Sequence, residues 1–173
     1  MITLEPPQGI SSAVDPWRSL GLSHSGLSRF VTTARKKVKL RGEVSVLLAD
    51  DRVLRRLNRD FRGKNKATDV LSFPAPEELA RTVAGDLAIS LETALQQAEE
   101  YGHSLRDEVR ILLLHGLLHL KGFDHETDDG EMAACEAVLR RELRLSPNLI
   151  ARVESVVAKP AKRRVARARK VGV

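Results

Sequence analysis

The sequence is short of several things, and each shortage closes off a class of protein. One cysteine, Cys135, in 173 residues leaves nothing to build an internal disulfide framework and fits a reducing compartment. The same count excludes a cysteine-rich zinc ribbon. No run approaches the roughly 20 uninterrupted apolar residues of a membrane span. The N-terminus, Met1-Ile2-Thr3-Leu4-Glu5-Pro6-Pro7, has no basic segment leading into an apolar one, so a signal peptide is not expected and a cytoplasmic location is. Aromatics are scarce: Trp17, Phe30, Phe61, Phe73, Tyr101 and Phe123 are the whole set, too few for a base-stacking surface of the usual aromatic-rich kind. Internal repeats are absent.

What is present suits one folded domain. Hydrophobic residues make up 42% and charged residues 30%, enough apolar surface for a core and too much for wholesale disorder. The net charge of +6 hints at a polyanionic partner, but it is unevenly spread. Residues 1–85 hold 15 basic and 9 acidic side chains, residues 86–158 hold 7 and 14, and residues 159–173 hold 7 and none. The body of the chain is therefore close to neutral, with a basic first half and an acidic second half. The excess belongs to the tail.

Hydrophobic spacing and capping residues give the elements. Residues 1–24 read as an extension, mostly loop, with a short strand near Ile2–Leu4. Ser25 or Ser28 opens a helix to about Lys39, with Leu27, Phe30, Val31 and Ala34 on one face. Glu43–Ala49 is a strand. Asp50 caps a helix whose apolar stripe is Val53, Leu54 and Leu57 and whose other face carries Arg52, Arg55, Arg56 and Arg59. Asp69–Phe73 is a strand stopped by Pro74, and Gly85–Ser90 is a third. Ser90 caps a helix to about Glu100, ended by Gly102. Ser104 with Asp107 resembles a capping box and opens a helix to Lys121, stopped by Gly122. Glu126 to about Arg144 is the last clear helix, and 148–158 is a short continuation. From Lys159 the chain is low in complexity, wholly basic, and expected to be disordered. The expected fold is mixed α/β in a single domain spanning 25–158. A small mixed sheet of three to four strands packs with about five helices, and a metal site lies at the end of a central helix.

That site is read from Ile111–His125. His115 and His119 are four residues apart on one helix, so their side chains stand one turn apart on one face, within reach of one cation. Gly122 can take the left-handed conformation that ends the helix and turns His125 back as a third ligand. Three imidazoles and an open fourth position make a catalytic zinc site rather than a closed structural one. A lone histidine in an apolar helix is more often a hydrogen-bonded core residue. Two in one apolar helix, with a third after a correctly placed glycine, favour the metal. The spacing HxxxHxxGxxH matches that of the metzincin proteases, except that Gly116 stands where their general-base glutamate would be. That disfavours peptide hydrolysis of the metzincin type. The glycine, which costs the helix about 1 kcal/mol against alanine, implies either a close approach to the backbone or a need for space.

The segment His-Gly-Leu-Leu-His-Leu-Lys-Gly-Phe-Asp-His, residues 115–125, resembles the HGxLHLxGYDH signature of the YbeY family of bacterial endoribonucleases. Two more blocks agree: Asn58-Arg59-Asp60-Phe61-Arg62-Gly63-Lys64 followed by Thr68-Asp69-Val70-Leu71-Ser72-Phe73-Pro74, and Gly85-Asp86-Leu87-Ala88-Ile89. Together they span roughly residues 43–145. Ala67, where a proline is common, and the shortened acidic stretch after His125 depart from the pattern. The resemblance implies a zinc-dependent, single-strand-specific endoribonuclease acting in ribosomal RNA processing, at the 3′ end of the small-subunit rRNA, and in ribosome quality control. It implies one zinc ion on His115, His119 and His125, a functional arginine at Arg62, and ribosomal RNA, with the ribosome or its proteins, as partners. Arg52, Arg55, Arg56, Arg59, Lys64 and Lys66 could track the RNA backbone, or equally be a solvated face. Asp124 could orient a ligand or cap a turn, and Asp86 is similarly open. A metalloprotease-like hydrolase and a non-catalytic zinc-binding ribosome-associated factor are the alternatives. The tail is expected to add non-specific RNA affinity through counterion release.

Overall fold

The computed structural model describes residues 2–5 and 20–145. The short helix expected at 148–158 and the tail at 159–173 lie outside the described residues. Four strands, β1 (Ile2–Glu5), β2 (Glu43–Ala49), β3 (Val70–Pro74) and β4 (Val83–Ser90), form one sheet in the order β1-β2-β4-β3. β1 and β4 run parallel to β2, and β3 runs antiparallel to β4 along the edge. The five α-helices among the described residues are α1 (His24–Val38), α2 (Asp51–Arg62), α3 (Leu91–Tyr101), α4 (Leu105–Lys121) and α5 (Glu131–Glu142). The mixed α/β architecture is the expected one.

Strand alternation divides the sheet into two faces. Val44, Val46 and Leu48 of β2 and Leu87 and Ile89 of β4 join the large core with α1, α3, α4 and α5. The opposite face carries Ala49, Leu71 and Ala88, covered by Leu54 of α2. α4 is the central element. Its Val109, Ile111, Leu112, Leu113, Leu114, Leu117 and Leu118 are all fully buried. Such all-round burial is why its sequence reads as a nearly continuous apolar run.

Caps explain most boundaries. Asp50, Ser90 and Ser104 accept from the N–H groups of Val53, Thr93 and Asp107, as expected. Asp50's carboxyl is held below the usual carboxylate range, chiefly by that Val53 N–H. α1 differs: its cap is Ser23, which accepts from Gly26 N–H at 3.2 Å, rather than Ser25 or Ser28. Leu22 and Leu27, on either side of that cap, are both buried in the main core, a hydrophobic staple that fixes the earlier start. The last helix also differs, beginning at Glu131 rather than Glu126. Asp124 and Asp128 explain this. Their carboxylates take the N–H groups of Glu126, Gly130 and Met132 and wind 124–130 into turns.

Gly116 answers the question its sequence position raised. A Cβ there would lie 2.7 Å from Leu87 Cδ2 and 3.3 Å from Ser72 Oγ. The glycine lets α4 sit directly on β3 and β4. Leu87 is 1% exposed and has little room to yield. Gly116→Val is therefore expected to destabilise the fold by about 1–3 kcal/mol through overpacking. An unchanged urea midpoint would show that Leu87 moves aside.

Candidate metal centre

His115 and His119 project from the last two turns of α4. Gly122, at φ 102°, ends the helix, and its N–H and that of Phe123 return to the carbonyls of His119 and Leu118. The reversed chain brings His125 back. One nitrogen from each of the three rings lies within 4.8 Å of the others. The ring centroids are 4.8, 5.2 and 5.1 Å apart.

The hydrogen bonds decide what those nitrogens can do. His115 Nδ1 lies 3.1 Å from Glu136 Oε2, and His119 Nδ1 lies 3.0 Å from the Phe123 carbonyl oxygen. Both partners are acceptors, so each Nδ1 carries the proton and donates it. In the neutral form of each ring Nε2 then offers a lone pair. The two Nε2 atoms lie 3.1 Å apart, close enough to share one cation. The donor set thus fits a single metal ion. Carboxylate and carbonyl acceptors behind ligating imidazoles are the usual device for fixing ring orientation and raising ligand basicity.

Electrostatics point the same way. Burial, then the neighbouring His115 and His125, hold His119's pKa below the usual imidazole value, which keeps its lone pair available. Glu136 is buried, which alone would push its carboxyl up. The His115 hydrogen bond and the Arg140 charge outweigh burial and hold it below the usual glutamate value. Arg140 Nε donates to Glu136 Oε1 at 3.0 Å, and its Nη2 also reaches that oxygen. The series runs Arg140, Glu136, His115, metal position, and its first two members are almost fully enclosed.

The three histidines line a cleft of about 490 Å³. Its far wall is Arg62, Thr68, Asp69, Val70 and Ser72, from the end of α2 and the edge strand β3. Arg62 is exposed there and makes no ion pair or hydrogen bond among the described residues. Asp69 is fully engaged, accepting from Val70 N–H, the Thr68 hydroxyl and Gln97 Nε2.

The other candidates fall elsewhere. Arg52, Arg55, Arg56 and Arg59 are exposed along α2, outside the cleft wall, with Arg52 paired to Asp50 and Arg59 to Asp60. Lys64 and Lys66 are exposed on the following loop, which Asn58 pins by donating to the Lys66 carbonyl at 2.7 Å. Asp124 caps a turn: its carboxylate is engaged by Glu126 N–H and the Thr127 hydroxyl, which hold it below the usual range. Asp86 is exposed opposite Phe73, on the sheet face away from α4. Sequence reasoning missed Glu136 and Arg140. Their spacing of four on one helix was a readable pair signal, but nothing local tied Glu136 to a histidine 21 residues earlier.

Comparison with known proteins places this arrangement. Residues 23–144 match the family model described as Endoribonuclease YbeY. The chain belongs to the YbeY family. It is 53% identical over 144 residues to the Endoribonuclease YbeY of Koribacter versatilis, covering 83% of this chain and 93% of that protein. It is 51% identical over 112 residues to the one from Nautilia profundicola, covering 65% and 80%. A chloroplastic Endoribonuclease YBEY from Arabidopsis thaliana is 50% identical over 107 residues, so the family is not confined to bacteria. The solution structure of TM1509 from Thermotoga maritima superposes with a TM-score of 0.54 at 26% identity, covering 94% of this chain and 100% of that one. The YbeY-family match takes in all three histidines, Arg62, Glu136 and Arg140. No helix of the described residues is long and apolar enough to cross a membrane.

Proposed function

We propose that this chain is a zinc-dependent endoribonuclease that cleaves single-stranded RNA and acts in ribosomal RNA processing, including the 3′ end of the small-subunit rRNA, and in ribosome quality control. The observation that carries the reading is the sharing of one cleft by three converging imidazoles and the exposed Arg62. His115, His119 and His125 would hold the ion. Bound zinc supplies Lewis acidity toward a phosphoryl oxygen and activates water near neutral pH.

The chain's own groups do the rest. The Arg62 guanidinium presents a planar fork to a phosphate and stabilises charge that develops on it during cleavage. The Glu136 carboxylate and Phe123 carbonyl fix two rings before substrate arrives. Asp69, already accepting three hydrogen bonds, positions the start of β3 rather than taking a proton. Arg55, Arg56, Lys64 and Lys66 give the backbone of a longer RNA a positive path, and the basic segment 159–173 adds affinity without sequence preference. Ribosomal components are the partners this chemistry serves, and the cytoplasm is the compartment in a bacterial host. The protease alternative is weakened because a side chain at position 116 would collide with Leu87 and Ser72. The non-catalytic alternative is weakened because the His125 side of the site is exposed.

Arg62→Ala, in zinc-quantified protein with a labelled single-stranded RNA, is expected to keep its zinc and lose about 10²–10³ in kcat/KM. Unchanged cleavage by that variant, or no cleavage by the loaded wild type, would sink the reading.

A further inference from the structure

Phe61 is the most exposed large apolar side chain among the described residues, at 70%. It sits in the last turn of α2, next to Arg62, so the two Cα atoms are about 3.8 Å apart. Phe73 of β3 braces its ring edge-to-face, with centroids 5.2 Å apart. The surroundings are cationic: Arg62, Lys64 and Lys66 are exposed, and none has an acidic partner among the described residues. An open aromatic face among unpaired cations has the composition of a nucleic-acid stacking platform.

Its position relative to the cleft gives it a specific occupant. β3 is the edge strand, and its two sides face different ways. Val70 and Ser72 line the cleft beside the histidines, whereas Phe73 and Phe61 lie on the side that α2 covers. Arg62, the chain neighbour of Phe61, lines the cleft itself. A strand whose phosphate rests on Arg62 can cross this edge with its next base within reach of the open face of Phe61. We infer that Phe61 is a base-stacking subsite for single-stranded RNA, one nucleotide from the phosphate held by Arg62. The inference rests on the endoribonuclease reading and deepens it. A duplex keeps its bases in the helical stack and cannot present one to Phe61, so the subsite selects single strands. The scarcity of aromatics still excludes an extended platform; one braced ring serves one base.

The test compares zinc-loaded wild type with Phe61→Ala, Phe61→Leu and Phe61→Tyr. Each is assayed for cleavage of a labelled single-stranded RNA, with two unlabelled competitors: the same oligonucleotide and a version with abasic riboses. Phe61→Ala and Phe61→Leu are expected to raise KM about tenfold or more, the loss of one base–aromatic stack, with kcat and zinc content nearly unchanged. Phe61→Tyr keeps a π face and stays close to wild type. The abasic competitor inhibits wild type and the Phe61 variants equally, because it never used the ring. Leucine retains apolar bulk, so wild-type KM in Phe61→Leu would overturn stacking. So would equal weakening of both competitors by Phe61→Ala, which points to a structural role or a different partner surface. Wild type that binds no single-stranded RNA overturns the enzyme reading and this subsite with it. A normal wild type with silent Phe61 variants removes the subsite alone.

Discussion

Protein carrying His115→Ala is expected to lose bound zinc and RNA cleavage together. A catalytic zinc site rests on three protein ligands, and the three candidate imidazoles here belong to two residues of α4 and one of the following loop. Removing His115 leaves His119 and the exposed His125, a pair too weak to retain the ion at ordinary concentrations. It also releases Glu136 Oε2 from its only imidazole contact while leaving the Arg140 pair in place. The helix itself should persist, because its packing comes from the leucines and Val109 rather than from the half-buried His115. Zinc content by atomic spectroscopy, cleavage of single-stranded RNA and far-UV circular dichroism separate the three effects. Retained stoichiometric zinc with a wild-type rate would remove His115 from the site. His125→Ala gives the cleaner companion, since that ring is exposed and lies in a loop.

The second large effect is expected at a residue that touches no substrate. Glu136→Gln should lower both stability and metal affinity. Glu136 and Arg140 form an enclosed ion pair, and breaking such a pair from one side costs about 3–5 kcal/mol, because the remaining charge keeps its burial and loses the Glu136 carboxylate. The same substitution weakens the acceptor behind His115 Nδ1, and loss of such an orienting carboxylate typically costs 10–100-fold in metal affinity or activity. The prediction is a lower Tm in zinc-free protein, together with a zinc dissociation constant raised 10–100-fold. Glu136→Asp, which keeps the charge but shortens the reach, should recover stability more than affinity. If Glu136→Gln binds zinc like wild type, the carboxylate is only a structural partner of Arg140 and the orienting role fails.

These two residues show where sequence reading succeeds and where it stops. The histidine triad was legible because its geometry is local: one helical turn, one glycine stop and a short return. The caps at Asp50, Ser90 and Ser104 were legible for the same reason, each being a side chain bonded to a backbone three residues on. Ser23 does not stand out from Ser25 or Ser28 in the sequence because a run of serines offers several equivalent caps. The choice fell to Leu22 and Leu27, which are apolar neighbours only once the core has formed. The sequence pattern starts the last helix too early because Glu126–Gly130 has no strong breaker before its glycine. The turns there depend on Asp124 and Asp128 folding back on their own backbone. Gly116 left two explanations open, and the 2.7 Å approach of Leu87 chose the first.

The sequence by itself determined that the charge excess belongs to the tail, that the family is YbeY, and that His115, His119 and His125 converge. The first follows from composition, the second from the motif blocks that resemble that family, and the third from neighbours within a few turns of chain. Only the tertiary structure decided that Glu136 and Arg140 stand behind His115, that Arg62 shares the histidines' cleft, and that Phe61 is left open beside it. Those pairings join α2, the β3 edge, α4 and α5, which are far apart along the chain. Burial of α4 against the sheet is what brings them together, and no local pattern encodes the distance between residues that meet only through a common core.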